Sequence, residues 1–223
     1  MNSAAVVRMC ALAALFGLPG CSLFVMAGKM LTGDPLQTAQ FKAMTGVDLS
    51  KGKHRVAVVC TVPAAVGEEL ASLNADLIEG ITRRMRIHGV NVVSATEMAR
   101  WLDDNGGVVR DPSAVAHAFD VDYVAWIDLQ AFSLREDLTR EKNVAHLLRG
   151  RAQGFIRAFK VEEVNGERLA LGIYNTEFNI VYPPHQPVQE IGRSALLFQK
   201  DFIDRVCLQL SEQFYDHRPG TDI

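Results

Sequence analysis

The chain has 223 residues, enough for one folded domain and a leader. Its 48% hydrophobic and 22% charged content excludes wholesale disorder. A formal net charge of -3 excludes a basic, nucleic-acid-binding class, so no nucleic acid is expected among its partners.

The first 21 residues read MNSAAVVRMCALAALFGLPGC. One positive charge, Arg8, precedes the apolar stretch Met9 to Leu18, which has the length of a signal-peptide core rather than of a bilayer span. The run Leu18-Pro19-Gly20-Cys21 resembles the lipobox of bacterial lipoproteins, with an aliphatic residue three before the cysteine and a small one just before it. Pro19 departs from the Ala, Ser or Thr usual in its slot. The resemblance implies a signal peptide over 1–20, diacylation of the Cys21 thiol, cleavage before it and acylation of the new amino terminus. Several buried acyl chains, each CH₂ worth about 0.8 kcal/mol, would hold such a protein on a membrane. Ser22 after the anchor favours the outer membrane, facing the periplasm. The competing reading is an uncleaved helix from Ala4 to Ala27, which Pro19 and Gly20 would weaken.

Residues 21–53 read as lipidated terminus and tether, interrupted by Gly28, Gly33, Pro35, Gly46 and Gly52, with a short docking helix around Phe41 to Val47. A single exported domain is expected over 54–223. Val56 to Val62 is a near-continuous apolar run closed by Pro63, as in a strand buried on both faces. After a loop from Pro63 to Glu69, Leu70, Leu73, Leu77, Ile81 and Met85 form one stripe of an amphipathic helix that Gly89 ends. Val90 to Val93 reads as a short strand, and Ser94-Ala95-Thr96-Glu97 as a capping box opening a helix to about Asp104. Asp111-Pro112 opens another helix to about Phe119. Val121 to Phe132 is a third strand, and Arg135 to Lys142 a charged loop or frayed hairpin end.

Two long strands, Arg149 to Glu163 and Arg168 to Tyr182, flank Asn165-Gly166, a strong hairpin signal. Ala152, Gly154, Ile156 and Ala158 share one face, whose small residues would let a helix pack closely. A final helix, about Arg193 to Asp216, carries Leu196, Ile203, Cys207, Leu210 and Phe214. This order predicts an α/β (mixed α+β) fold, a mixed sheet of about five strands with helices on its faces, ending in a long amphipathic helix.

Candidate chemistry is sparse. His54, His88, His117, His146, His185 and His217 form no ligand spacing, and no metal or cofactor is expected. Trp101 to Gly107 lacks the alternating ligands and closing glutamate of a calcium loop. Cys60 ends a central strand without an activating neighbour, and Ser194 lacks the second glycine of a nucleophile elbow. Cys60 and Cys207 both sit in apolar runs; spacing leaves open whether they are buried thiols or a disulfide. Two surfaces stand out for partners. Arg149 and Arg151, with Arg157, put Arg151 and Arg157 on one strand face, open to an acidic partner. Tyr182, Pro183 and Pro184 begin an extended proline-rich connection, read either as a docking loop or as a rigid crossover.

The lipobox, tether, basic-hydrophobic-Ala-Val opening strand and element order resemble three groups: the curli-secretion-type lipoproteins, the TolB amino-terminal domain type, and the lipoprotein activators of penicillin-binding proteins. The resemblance spans roughly 54–216 as pattern, without a motif that transfers a site. It implies a membrane-anchored, non-enzymatic accessory or assembly factor that binds an envelope protein or itself. The alternatives are a binder of a small molecule or glycan, and an envelope-polymer enzyme using carboxylates such as Asp103, Asp104 or Asp128.

Overall fold

Five successive residues, Val56 to Cys60, are at most 2% exposed, and a strand so apolar on both faces belongs in the middle of a covered sheet. In the computed structural model, which describes residues 35–135, 147–189 and 194–219, that strand (β1, Arg55–Thr61) runs parallel between β2 (Asn91–Val92) and β3 (Tyr123–Arg135). β3 pairs antiparallel with β4 (Leu147–Val164), and β4 with β5 (Glu167–Tyr182). The order is β2-β1-β3-β4-β5, a mixed sheet, with β6 (Val188–Gln189) paired to β4. At the β4–β5 turn both Asn165 and Gly166 have positive φ, 55° and 82°, the two-residue geometry whose twist matches paired strands.

Contacts divide the chain into two units: residues 38–217, described except for 136–146 and 190–193, and 1–37 with 218–223, of which 35–37 and 218–219 are described. The first unit begins with α1 (Gln40–Thr45), so part of the segment read as tether is built into the fold. Phe41 is fully buried, with its ring 5.6 Å from Tyr174 and 5.8 Å from Phe214. Ala39 N–H donates to Asp216 and Phe41 N–H to the Gln213 carbonyl, fastening the start of the unit to its end.

The helix after β1 is α3 (Leu73–Ile87), and its stripe of Leu73, Leu77, Ile81 and Met85 is buried as the spacing predicts. It stops where Gly89, at φ 84°, donates to the Arg86 carbonyl and Val90 to that of Met85, a doubly bonded glycine stop. α4 (Ala95–Asp104) opens with the complete capping box of Ser94 and Glu97. α5 (Pro112–Phe119) follows with Asp111 accepting from Ser113 N–H. The last helix, α6 (Ala195–Ser211), lies against α3 and β4, on the sheet face that carries Cys60 and Gly150. Gly80 brings α3 and α6 close, since a β-carbon there would stand 2.5 Å from Cys207 Sγ.

Three expectations change. Pro63 to Glu69 is not a loop throughout: Ala64–Glu69 forms a short helix (α2), for which Pro63 supplies the N-cap position. Leu196 is 59% exposed and leaves the buried stripe of α6, where Phe198 and Phe202 are at 0%. The proline-rich connection is not extended to the last helix. After a cis Tyr182-Pro183 bond the chain bends through 183–186 and returns to β4, where Val188 pairs with Leu148 and Gln189 with Leu147. Of the charged segment Arg135 to Lys142, Arg135 closes β3 and the rest lies outside the described residues.

Candidate functional site

The period-2 alternation of β4 separates its two faces. Residues 148 to 158 are buried at every even position, while the odd ones, among them Arg151, Gln153, Phe155 and Arg157, keep solvent access. The even side meets α6: a β-carbon on Gly150 would stand 2.4 Å from the Phe202 ring. The odd side is an open sheet face. α5 packs on the hairpin end of the sheet, where Ser113 Oγ accepts from Ala170 N–H and Arg168 pairs with Asp120. Beyond it Arg151, Asn175, Glu177 and Asn179 are exposed.

A hydrogen-bonded chain crosses this face over three strands. Trp126 Nε1–H donates to Thr61 Oγ1 at 3.1 Å, Thr61 Oγ1 donates to Asp128 Oδ1 at 3.1 Å, and Arg157 Nη2 donates to Asp128 Oδ2 at 2.7 Å. Register explains why they meet. Thr61 lies opposite Asp128 on β1 and β3, and Trp126 opposite Arg157 on β3 and β4. The Arg157 guanidinium also stands 5.7 Å from the centre of the Phe155 ring, and Trp126 lies 6.2 Å from Phe159. Gln153 on β4 donates to the side chain of Asn179, directly across the ladder on β5. Gly154 makes room for the bulge at Leu129 to Ala131, since a β-carbon on it would stand 2.2 Å from the Asp128 carbonyl oxygen.

Asp128 therefore accepts from a hydroxyl and a guanidinium at once. Its charge is thus matched on this surface by a cation from the neighbouring strand. The Arg157 side chain stays 41% exposed, with guanidinium N–H groups beyond the Asp128 bond to offer a partner.

The sequence-derived candidates divide between the two faces. Arg149, Arg151 and Arg157 occupy odd positions of β4, so Arg151 and Arg157 do share the open face, although Arg157 is partly neutralised by Asp128. Tyr182 belongs to the other side. Opposite the buried Gly150, its ring stacks 6.0 Å from Phe198 with Arg205 5.5 Å above it, so it clamps α6 instead of opening a docking loop. Pro183 is half-buried and Pro184 exposed. Cys21 lies outside the described residues. Thr61, Trp126 and Phe155 were missed; the alternation of Trp126 with Asp128 in a strand was the available signal.

Asp103 lines a separate groove between α3 and α4, apart from Asp128. Cys60 and Cys207 are free, buried thiols. Burial pushes the Cys60 pKa well above its ordinary value and raises Cys207 to about 12. Among the described residues no helix is long and apolar enough to cross a membrane.

No protein-family model and no curated protein matches the chain. Solved structures are similar to it at low identity. The lipoprotein GNA1162 from Neisseria meningitidis is 14% identical, over 71% of this chain and 96% of that one, with a TM-score of 0.38. The PelC dodecamer from Paraburkholderia phytofirmans is 8% identical, over 82% and 97%, with a TM-score of 0.39. A minor lipoprotein from Acinetobacter baumannii is 12% identical, over 78% and 100%, with a TM-score of 0.33.

Proposed function

We propose that this chain is an exported, lipid-anchored accessory protein that binds another component of the cell envelope instead of transforming a substrate. Its attachment rests on the Leu18-Pro19-Gly20-Cys21 run, with lipid on Cys21. The observation that carries the binding role is the open face of β3, β4 and β5, where Asp128 and Arg157 are locked together across strands and Arg151 stands exposed beside them. A surface already held by cross-strand bonds loses little side-chain entropy when a partner docks. The exposed guanidiniums suit a partner that presents carboxylates, which guanidinium groups bind through paired N–H donors.

The test is crosslinking and affinity capture of the full chain through a carboxyl-terminal tag, beside Cys21→Ala and Arg151→Glu/Arg157→Glu. One envelope component should be recovered, lost from Cys21→Ala and depleted from the charge-reversed protein. Equal recovery with the reversed charges would remove the open face from the proposal. Loss of a palmitate-analogue label in Cys21→Ala checks the anchor independently.

A further inference from the structure

A groove of about 750 Å³ separates α3 from α4, a volume in the range of small-molecule sites. Thr82, Arg83, Arg86 and the first turn of α4, Ser94 to Thr96, all line it. Thr82 is only 2% exposed, yet its Oγ1 has no hydrogen-bond partner among the described residues. A buried hydroxyl left unpaired costs free energy that a ligand atom can recover. Arg83 and Arg86 lie within one helical turn of Thr82. Arg83 has a weak contact to Asp204 at 3.8 Å, and no ion pair is found for Arg86 among the described residues. The Ala95 and Thr96 N–H groups, outside the Ser94–Glu97 capping box, add donors in the first turn of α4.

Toward the start of α3 the lining has the opposite chemistry. Asn74 Oδ1 is buried there without a hydrogen-bond partner, and as a carbonyl oxygen it can only accept. Asp103 also lines the groove, eight residues along α4 from Ala95. Asn74 and Thr82 are eight residues apart on α3, roughly 12 Å at 1.5 Å per residue. Between them Ile78, Leu102 and Ala99 give an apolar floor, and Glu79 sits at the rim one turn before Arg83.

We infer that this groove is a binding site for an elongated molecule with an oxyanion at one end, a hydrogen-bond donor at the other and an apolar middle. The oxyanion accepts from Thr82 Oγ1–H, Arg83, Arg86 and the α4 amides, while the donor end serves Asn74 Oδ1 and Asp103. The site is independent of the open sheet face and of the lipid anchor.

Titration calorimetry of the full chain in a neutral detergent tests it, with 8-aminooctanoate, octanoate and octylamine as probes. 8-Aminooctanoate spans close to the required length and should bind about tenfold tighter than either one-ended probe. Thr82→Val and Arg86→Gln should each weaken it by about tenfold. Thr82→Val should leave the ligand-free Tm unchanged or raised, because it removes an unpaired hydroxyl; Asn74→Leu should abolish the preference for the amino group. Absence of saturable heat from all three probes would overturn the inference. So would equal binding of octanoate, or binding indifferent to both Thr82→Val and Arg86→Gln in proteins that keep the wild-type circular dichroism.

Discussion

The ring of Phe202 on α6 occupies the space above Gly150 on β4 where any other residue would carry its side chain: three ring carbons lie 2.4–2.6 Å from the position of a β-carbon. Real β-carbons do not approach so closely, so the seating of α6 on the sheet depends on glycine at that point. The ring is buried on a backbone that also holds Arg149 and Arg151, and the fit of α6 thereby fixes the strand whose other side is the open face.

Gly150→Ala is therefore expected to force the helix outward or the ring off its rotamer, at about 1–3 kcal/mol. Urea unfolding measures this. The double variant Gly150→Ala/Phe202→Leu should recover part of the loss, since the shorter side chain vacates the contested space. An additive double variant would mean that Phe202 is not the obstacle.

The Asp128–Arg157 bond makes a second expectation. Arg157 is well exposed, so the pair is worth about 0.5–1 kcal/mol and no more. A double-mutant cycle with Asp128→Asn and Arg157→Gln should return a coupling of that size, weakened by salt. Thr61→Val, which removes the hydroxyl between Trp126 and Asp128, should instead shift the indole fluorescence, because Trp126 Nε1–H loses its acceptor. An unchanged emission spectrum would place the Trp126 bond elsewhere.

Much of the fold was legible because its signals are local. The Ser94 and Glu97 capping box, the Asn165-Gly166 turn, the Gly89 stop and the apolar run of β1 each act through neighbours in sequence, and each stands where it was read. What escaped depends on residues far apart in the chain. Gly80 looks like a flaw inside a helix until Cys207 is placed against it. Thr61 is an ordinary strand end until parallel pairing sets it opposite Asp128. Leu196 fits an apolar stripe by spacing alone, yet α6 turns Phe198 and Phe202 inward instead. Tyr182 closes its strand as the pattern predicts, but its packing on Phe198 depends on where the last helix sits. The open face was half visible: Arg151 and Arg157 were placed together by period, but the carboxylate that holds Arg157 was not.

The thiols of Cys60 and Cys207 should be inert in the folded protein. Only the thiolate reacts, and burial holds Cys207 near 12 and Cys60 well above its ordinary value. Iodoacetamide at pH 8, read by peptide mass spectrometry, is expected to leave both unlabelled in native protein and to modify both in denaturant. Native labelling of Cys207 at a rate faster than global unfolding would show that α3 and α6 separate locally.

Acid should loosen the clasp between the two ends of the unit. Lys42 Nζ lies 2.9 Å from Asp48 and 2.5 Å from Asp216. Hydrogen bonds from Ser50 and then Lys42 hold the Asp48 carboxyl at about 2, below its ordinary 3.8. Burial pushes Asp216 upward, but the Lys42 and Ala39 hydrogen bonds more than offset it and leave its pKa lowered. A carboxyl depressed by folding contributes stability that is fully present above its unfolded pKa and is lost as pH falls through the folded one. Stability should therefore decline between about pH 4 and pH 2. Asp48→Asn should lower stability at neutral pH and flatten that decline, as followed by thermal unfolding across the range. Lys42→Met should flatten it as well, because it removes the cation common to both carboxylates. If both variants kept the wild-type acid profile, the clasp would not be the acid-sensitive element, and the loss would have to come from carboxylates elsewhere.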